Sequence, residues 1–185
     1  MIFSIIGKSC SGKDTIFKRL SNHPSLNRVV TMTTRSIRSN EKQGVDYHFV
    51  TDEEFLKLKE NDGFVESTQF NGWYYGTPKD SIDTNKHHVI VINPQGLLSL
   101  VDTYGWDNVV ALVIDRPDRD RAISYLLRDN DASVDEMYRR FNADEEDFKV
   151  INELNNDNVY HIHNETGNFG KCISQIEKII GGYLK

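Results

Sequence analysis

A loop that could bind phosphate lies near the amino terminus of the chain. The residues Gly7-Lys-Ser-Cys-Ser-Gly12-Lys13-Asp14 follow the apolar run 2–6. They match the pattern G-x-x-x-x-G-K-[ST] except that Asp14 replaces the last hydroxyl residue. In this pattern backbone N–H groups surround phosphate oxygens, the lysine neutralises them, and the hydroxyl ligates Mg²⁺. The apolar run predicts a buried strand and the residues after Asp14 have helical spacing, which places the loop at a helix N-terminus.

We therefore expect this loop to hold the phosphates of a nucleotide, with a plain strand-to-helix turn as the alternative. The expected binding residues are Gly7, Lys8, Ser9, Cys10, Ser11, Gly12, Lys13, Asp14 and Thr15. Cys10 is interpreted as a small neutral filler of a tight turn, because a redox role requires a thiol of lowered pKa. Asp14 is either a metal ligand or a cap of the following helix.

Length and composition indicate one globular domain. The chain has 185 residues, 38% of them hydrophobic, and a formal net charge of −6. An acidic chain is a poor ligand for nucleic acids or anionic membranes, so we expect neither as a partner. No apolar run approaches the ~20 residues that span a bilayer. Two cysteines, and no signal peptide before the first strand, favour a reduced cytoplasmic setting.

Strand and helix patterns alternate along most of the chain, which is typical of an α/β protein with a parallel sheet between helices. The predicted strands are 2–6, 28–31, 88–92, 109–114 and 159–163, and the predicted helices include 118–128, 135–154 and 171–184. Apolar stripes on these helices, such as Ala122, Ile123 and Leu126 or Tyr138 and Phe141, are interpreted as core packing.

The segment from about 35 to 79 breaks this alternation. It has short aromatic strands around one small helix, whose start is predicted by the capping box at Thr51 and Glu54. We interpret it as an insertion that forms a second site on a core of residues 1–34 and 80–185. The polar run 129–133 predicts a mobile loop, so 126–140 is a candidate lid.

Two blocks in this insertion resemble those of guanylate kinases. Thr33-Thr-Arg35-Ser-Ile-Arg38-Ser-Asn-Glu41-Lys-Gln-Gly44-Val-Asp-Tyr47-His-Phe-Val is similar to T-T-R-x-x-R-x-x-E-x-x-G-x-D-Y-x-F-V. Phe64-Val-Glu66-Ser-Thr-Gln-Phe-Asn-Gly-Trp-Tyr-Tyr75-Gly76-Thr77 is similar to F-I-E…F-x-G-x-Y-Y-G-[ST]. With the phosphate loop, these blocks imply a three-layer P-loop NTPase fold with a small mixed α/β insertion for the nucleoside monophosphate and a lid.

The resemblance implies a site for GMP or dGMP in the insertion. Its phosphate would be held by Arg35, Arg38, Tyr47 and Tyr75, and its guanine read by Glu66 and Thr77, helped by Thr31. A carboxylate can accept both the N1–H and the 2-amino group of guanine, and adenine lacks that pair of donors. Glu41 either orients Arg38 or is a surface charge.

The resemblance also implies ATP as phosphoryl donor, with Mg²⁺. Lys13 and Arg35 would stabilise the transferred phosphoryl group, together with lid arginines Arg128, Arg139 and Arg140. The sequence leaves open which of Arg139 and Arg140 faces the site, or whether they only decorate a helix. Asn164 would lie near the adenine, although a turn-forming asparagine is as ordinary an explanation.

The chain departs from the family where guanylate kinases usually carry D-x-D. Val91 and Asn93 occupy the two acidic positions, and Asn93 is kept as a candidate acceptor-site residue. Asp14 is a new acid in the phosphate loop, so we expect it to supply the metal ligand that the strand lacks.

The sequence therefore predicts transfer of a phosphoryl group from ATP to GMP or dGMP, giving ADP and GDP or dGDP, by a monomer or homodimer. One alternative is a kinase for a broader range of deoxynucleoside monophosphates. Another is a catalytically silent module that binds phosphorylated peptides. The retained Lys13 argues against the silent module, whereas the lost strand aspartates favour it.

Overall fold

The computed structural model describes residues 1–39, 41–70, 72–127 and 133–184. The strands are β1 (Ile2–Gly7), β2 (Asn27–Arg28), β3 (Met32–Thr33), β4 (His48–Phe49), β5 (Phe64–Phe70), β6 (Trp73–Pro78), β7 (His88–Val91), β8 (Val109–Asp115) and β9 (Val159–His163). The helices are α1 (Lys13–Leu20), α2 (Asp52–Glu60), α3 (Pro94–Tyr104), α4 (Asp118–Leu126), α5 (Val134–Asp147), α6 (Lys149–Asn152) and α7 (Phe169–Tyr183), with a 3₁₀ turn at Lys79–Ser81.

Five parallel strands form the central sheet, in the order β2-β7-β1-β8-β9. Side chains of β1 alternate between its faces: Ile2 and Ile6 pack with α3 and α6, whereas Phe3 and Ile5 pack with α1 and α7. Burial on both faces explains why the central strands are largely apolar, with Ser4 of β1 as a buried polar exception. The three-layer α/β fold expected from the sequence is confirmed.

The segment that breaks the alternation supplies three strands of a second, four-stranded sheet, in the order β4-β3-β6-β5. It is mixed, because β3 pairs parallel with β4 but antiparallel with β6. The capping box of α2 is confirmed, since Thr51 and Glu54 bond reciprocally. Phe55 of this helix stacks on Phe64, with ring centroids 4.4 Å apart. The second sheet thus has its own aromatic packing, and Val65 joins it to the main core.

The predicted strand 28–31 is wrong as one element. The N–H of Val29 still bonds to Val89 of the central sheet, whereas the carbonyl of Thr31 accepts from His48 of the second sheet. The chain therefore changes sheets within this run. Local composition carries no signal for this change, because both sheets accept β-branched residues.

Two helix predictions also need correction. The predicted helix 135–154 divides into α5 and α6 at Phe148, whose side chain turns into the core. Helix α3 was missed, although Asn93 caps it by accepting from the N–H of Gly96 at 2.7 Å and Pro94 opens it. An N-cap asparagine followed by proline is a recognised start signal.

The interpretation of the α4 stripe as core packing is wrong. Ile123 and Leu126 are each 45% exposed, whereas Arg121 is fully buried. The inner face of α4 lies against the phosphate loop, where carbonyl groups need donors more than apolar contacts. In α5, Tyr138 is also exposed, and Met137 is the buried residue. Across the described ranges, no helix is long and apolar enough to cross a membrane.

Candidate active site

The phosphate loop joins the end of β1 to the start of α1. Cys10 (φ 61°) and Gly12 (φ 93°) both adopt the left-handed conformation, which turns successive N–H groups toward one side of the loop. A Cβ at Gly7 would lie 2.3 Å from Oγ of Ser11, and one at Gly12 2.4 Å from Nδ2 of Asn164. Both positions therefore require glycine. The first N–H groups of α1 have no helical acceptor and are available to an anion.

Three successive carbonyl groups of the loop are held from behind by side chains. Ser9 O accepts from Nε of Arg121 at 2.8 Å and Cys10 O from Nη1 of Arg116 at 3.2 Å. Ser11 O accepts from Nδ2 of Asn164 at 2.8 Å. The loop carbonyls are therefore held by the rest of the protein, while the N–H of Ser9 is bound by Asp144 and that of Ser11 by the carbonyl of Lys8. Sequence reasoning missed both arginines, which come from positions more than 100 residues away.

The buried position of Asn164 bears on its expected place near the adenine. Its side-chain amide is bound to the loop carbonyl, and the residue is only 6% exposed. The described contact is therefore structural, and contact with adenine stays a prediction.

A donor-side cavity of about 530 Å³ opens over the loop. Cationic side chains surround it, namely Lys13, Lys18, Arg116 and Arg140, and Asp14 is the acid on its wall. Such a concentration of positive charge suits a chain of phosphates. Lys18 and Arg116 were not predicted for this site.

The cavity lining distinguishes the two arginines of α5. Arg140 lines the donor-side cavity, whereas Arg139 is not among its lining residues. Both pair with Glu136, and their guanidinium groups lower the pKa of that carboxyl to about 2. The third predicted lid arginine, Arg128, and the polar run 129–132 lie outside the described residues.

A second cavity, of about 620 Å³, extends from the phosphate loop to the second sheet, and we refer to it as the acceptor cavity. At one end it is lined by Gly7, Ser9 and Lys13, and at the other by Thr31, Tyr47, Glu66 and Tyr75. Asn93 and Val91 form part of its wall, with Phe148 from the α5–α6 junction. The structure thus brings the loop residues and most of the predicted acceptor residues to one space.

Glu66 is the acid at the far end of this cavity. It pairs with Thr77 across β5 and β6, and the Thr77 hydroxyl donates to its Oε1 at 2.7 Å. Burial raises the pKa of Glu66, and the Thr77 hydrogen bond opposes that shift. Thr77 itself is fully buried, so it acts on the carboxylate from behind rather than from the cavity.

Arg35 is held in place by an acid and two rings. Its Nη2 lies 2.7 Å from Oε1 of Glu41, and its guanidinium carbon is 5.7 Å from the ring centroids of Tyr47 and Phe49. The hydrogen bond that Arg35 donates to Glu41 raises the pKa of Arg35, and the same bond lowers the pKa of Glu41. Arg35 is therefore a fixed, buried cation that lies behind Tyr47 of the cavity wall and is not itself one of the lining residues.

Both expectations for Glu41 are wrong: it does not orient the Arg38 side chain, and it is not a surface charge, because its side chain is only 13% exposed. It pairs with Arg35 and accepts only the backbone N–H of Arg38, at 2.9 Å. Arg38 is exposed. The two arginines lie in a loop rather than on a helical turn, so their side chains need not point the same way.

The two predicted phosphate tyrosines lie together, with Tyr47 and Tyr75 ring centroids 6.2 Å apart. Burial raises the pKa of Tyr47, as do the charges of Tyr75 and Asp14. Tyr47 therefore stays a neutral donor, and Asp14 lies near enough to influence it.

Asp14 lies in the first turn of α1 and is exposed. Among the residues that the structure describes, no group of three or more His, Cys, Asp or Glu side chains is arranged to hold a metal ion. A metal here would therefore take most of its ligands from phosphates and water.

A parallel sheet with a phosphate loop between its first strand and helix defines a P-loop nucleotide-binding protein of the α/β class. A family model described as guanylate kinase matches residues 2–181. The guanylate kinase of Mycoplasma genitalium is 30% identical over 185 residues, covering 97% of this chain and 74% of that relative. The guanylate kinase of Clostridium perfringens strain SM101 is 31% identical over 168 residues, covering 86% and 77%.

A solved structure agrees at the level of the fold. The crystal structure of guanylate kinase from Anaplasma phagocytophilum has a TM-score of 0.70 at 24% identity, covering all of this chain and 87% of that one. The chain belongs to the guanylate kinase family.

Proposed function

We propose that the protein transfers the γ-phosphoryl group of ATP to GMP or dGMP, giving ADP and GDP or dGDP. One observation carries this proposal: a single cavity runs from Lys13 of the phosphate loop to the partly buried Glu66 of the second sheet. Phosphoryl transfer requires donor and acceptor aligned in a space from which water is excluded. One end of this cavity has the phosphate loop, which suits the donor's phosphates, and the other end has a carboxylate that suits a purine base.

Recognition of the acceptor base is assigned to Glu66, with Thr77 and Thr31. One oxygen of Glu66 is fixed by Thr77 at 2.7 Å, so the carboxylate presents a set edge to the cavity. As an ionised carboxylate it accepts from both N1–H and the 2-amino group of guanine. Adenine has an acceptor at N1 and would leave that contact unpaired.

The acceptor phosphate is assigned to Arg35, Tyr47 and Tyr75, with Arg38 from the exposed loop. Arg35 is oriented by Glu41 before any ligand binds. A fixed guanidinium loses little side-chain entropy on binding, and neutral tyrosine hydroxyls add donors without further charge. Asn93 remains a candidate contact on the α3 side of the cavity.

Donor binding is assigned to the phosphate loop, residues 7–15, with Lys13 neutralising the transferred group. Arg140 faces the donor-side cavity, and we assign it with Arg128 and Arg139 to a lid that closes over ATP. Asn164 supports the loop at Ser11. Closure of such an element excludes water from the reaction.

We assign Mg²⁺ to the donor-side cavity. Asp14 is a single exposed carboxylate on the donor-side cavity, and Mg²⁺ typically takes one or two carboxylates with phosphate oxygens and water. The ion supplies neutralisation of charge on the β- and γ-phosphates. We propose Asp14 as its protein ligand.

We further propose that the chain is one domain, with core 1–34 and 80–185, insertion 35–79 and lid 126–140. It would act as a monomer or homodimer in the cytoplasm.

A coupled assay of ADP release tests the function, with ATP, Mg²⁺ and each of the eight common nucleoside and deoxynucleoside monophosphates. Turnover with GMP or dGMP alone is expected. Comparable rates with several deoxynucleotides would instead show the broader kinase, and no turnover with any of the eight would favour the silent module that binds phosphorylated peptides.

A further inference from the structure

Ser9 of the phosphate loop is bound at all three of its polar atoms by two residues from different helices. Asp144 of α5 accepts from the Ser9 N–H at 2.8 Å through Oδ2 and from its hydroxyl at 3.1 Å through Oδ1. Arg121 of α4 donates from Nε to the Ser9 carbonyl at 2.8 Å and forms an ion pair with Asp144. The pair thus encloses one loop residue.

The surroundings of the pair hold it in one geometry. The side chain of Arg121 is 1% exposed and that of Asp144 is 14% exposed. Arg121 also pairs with Asp118 at 2.6 Å, and its guanidinium carbon lies 4.1 Å from the ring centroid of Phe141. Charge-assisted hydrogen bonds shielded from water are the strong ones, so Ser9 has little freedom to move.

Fixing Ser9 bears directly on the phosphate-binding conformation of the loop. The next residue, Cys10, has a φ of 61°, in the left-handed region that residues other than glycine rarely adopt. A loop that contains such a residue relaxes unless its neighbours hold it. The bound Ser9 on one side and the bound carbonyls of Cys10 and Ser11 on the other provide that restraint.

We propose that Arg121 and Asp144 are positioning residues that fix Ser9, and through it the phosphate loop, in the conformation that receives the donor's phosphates. The proposal rests on the proposed function, because it takes ATP as the ligand of this loop. The loop is ordered when the protein folds, so ATP binding need not supply that ordering.

Electrostatics alone predicts the opposite effect for Asp144. This residue lines the acceptor cavity together with Lys13, so its charge repels any phosphate bound there. If charge were its only influence, removing it would tighten the binding of ATP. If positioning dominates, removing it weakens the binding of ATP despite the lost repulsion. The sign of the change therefore separates the two roles.

The experiment measures Kd by calorimetry for β,γ-methylene-ATP with Mg²⁺, and separately for GMP, in the wild type and in Asp144→Ala. We expect Kd for the ATP analogue to rise about tenfold, with Kd for GMP unchanged or lower. Hydrogen exchange at the Ser9 and Cys10 amides should become faster. Asp144→Asn, which keeps one acceptor oxygen, should give an intermediate Kd and covers the case in which the alanine variant does not fold.

Glu146→Ala is the matched control. It removes a carboxylate from the same helix as Asp144, but the partner of this carboxylate is the exposed Lys149 and not the phosphate loop. It should leave both dissociation constants unchanged. An unchanged or lower Kd for the ATP analogue in both Asp144 variants would overturn the proposal, even if thermal stability fell. Because binding is measured without turnover, a wild type that does not phosphorylate GMP would count against the proposed function alone.

Discussion

Thr77 donates its hydroxyl hydrogen to Oε1 of Glu66 at 2.7 Å, between residues that face each other on adjacent antiparallel strands. Since Thr77 is fully buried, this bond turns one edge of the carboxylate away from the core and toward the cavity. The acid that we assign to the guanine is therefore oriented by the sheet itself.

Replacement of Glu66 by Gln should weaken GMP binding with little effect on ATP binding. The amide accepts one hydrogen bond and sets an N–H against the second guanine donor, and an unpaired buried donor costs about 1–3 kcal/mol. Calorimetric titration with each nucleotide measures the difference. An unaltered ratio of GMP to AMP turnover in this variant would show that Glu66 does not read the base.

The pH dependence of GMP use should report the same carboxyl. Burial raises the pKa of Glu66 above its ordinary value, so this group takes up a proton at a higher pH than an exposed glutamate. A protonated Glu66 cannot accept both guanine donors, and kcat/KM for GMP should therefore fall as the pH falls through this raised pKa. A profile of kcat/KM against pH measures it. The same acidic limb in Glu66→Gln would assign the titration to another group.

Replacement of Lys13 by Ala should abolish most turnover and leave GMP binding nearly intact. The lysine lies at the loop end of the cavity, whereas Glu66, which we assign to the base, lies at the other end. Removing a cation of this kind costs on the order of 10²–10³ in rate. Steady-state rates and GMP calorimetry give the two readouts. Equal losses in both would contradict the separation of donor and acceptor ends.

Replacement of Asp14 by Ala should raise the Mg²⁺ concentration needed for half-maximal rate, and replacement by Ser should restore much of the rate through a hydroxyl ligand. Rates measured across a magnesium titration test this. Asp14 also lies in the first turn of α1, where an acid stabilises the helix by about 0.3–1 kcal/mol. If the free energy of unfolding falls in both variants while their magnesium dependence matches that of the wild type, Asp14 only stabilises α1 and does not bind the metal.

Replacement of Cys10 by Gly should stabilise the fold by about 0.5–1 kcal/mol, because the residue has φ 61° and glycine adopts that conformation without a Cβ clash. Urea unfolding measures the change in free energy. Cys10→Ala is the control: it removes the thiol but keeps the Cβ, so it should not give the gain. Equal stabilisation by both would trace the effect to the thiol.

The central strands were predictable because each is buried on both faces and leaves a continuous apolar run. The apolar run at 28–31 did not predict one strand, because its residues bond to two sheets. The helical periodicity around Phe148 did not predict the end of α5, because the periodic pattern continues into α6. Neither event depends on local propensity, since tertiary contacts decide both. The start of α3 was in the sequence, as Asn93 followed by Pro94, and was overlooked.

The candidate site divides in a similar way. Residues in local motifs, such as the loop from Gly7 to Asp14 or the pair of blocks around Arg35 and Glu66, could be proposed from the sequence because their spacing along the chain is fixed, and their roles stay predictions. Arg121 and Asp144 were missed, since their contacts with Ser9 join positions 112 and 135 residues apart. In sequence they are ordinary charges in ordinary helices, and only the folded chain shows what they bind.

The place of Phe148 limits how the acceptor site can evolve. This ring ends α5, lines the acceptor cavity and is also packed in the main core, where it is only 6% exposed. Large-to-small changes at such a buried aromatic cost about 3–5 kcal/mol, a large share of the stability of a typical domain. Selection for a different acceptor would therefore be expected to act on other residues that line this cavity, such as Thr68 of β5, which is exposed and can change without disturbing the fold.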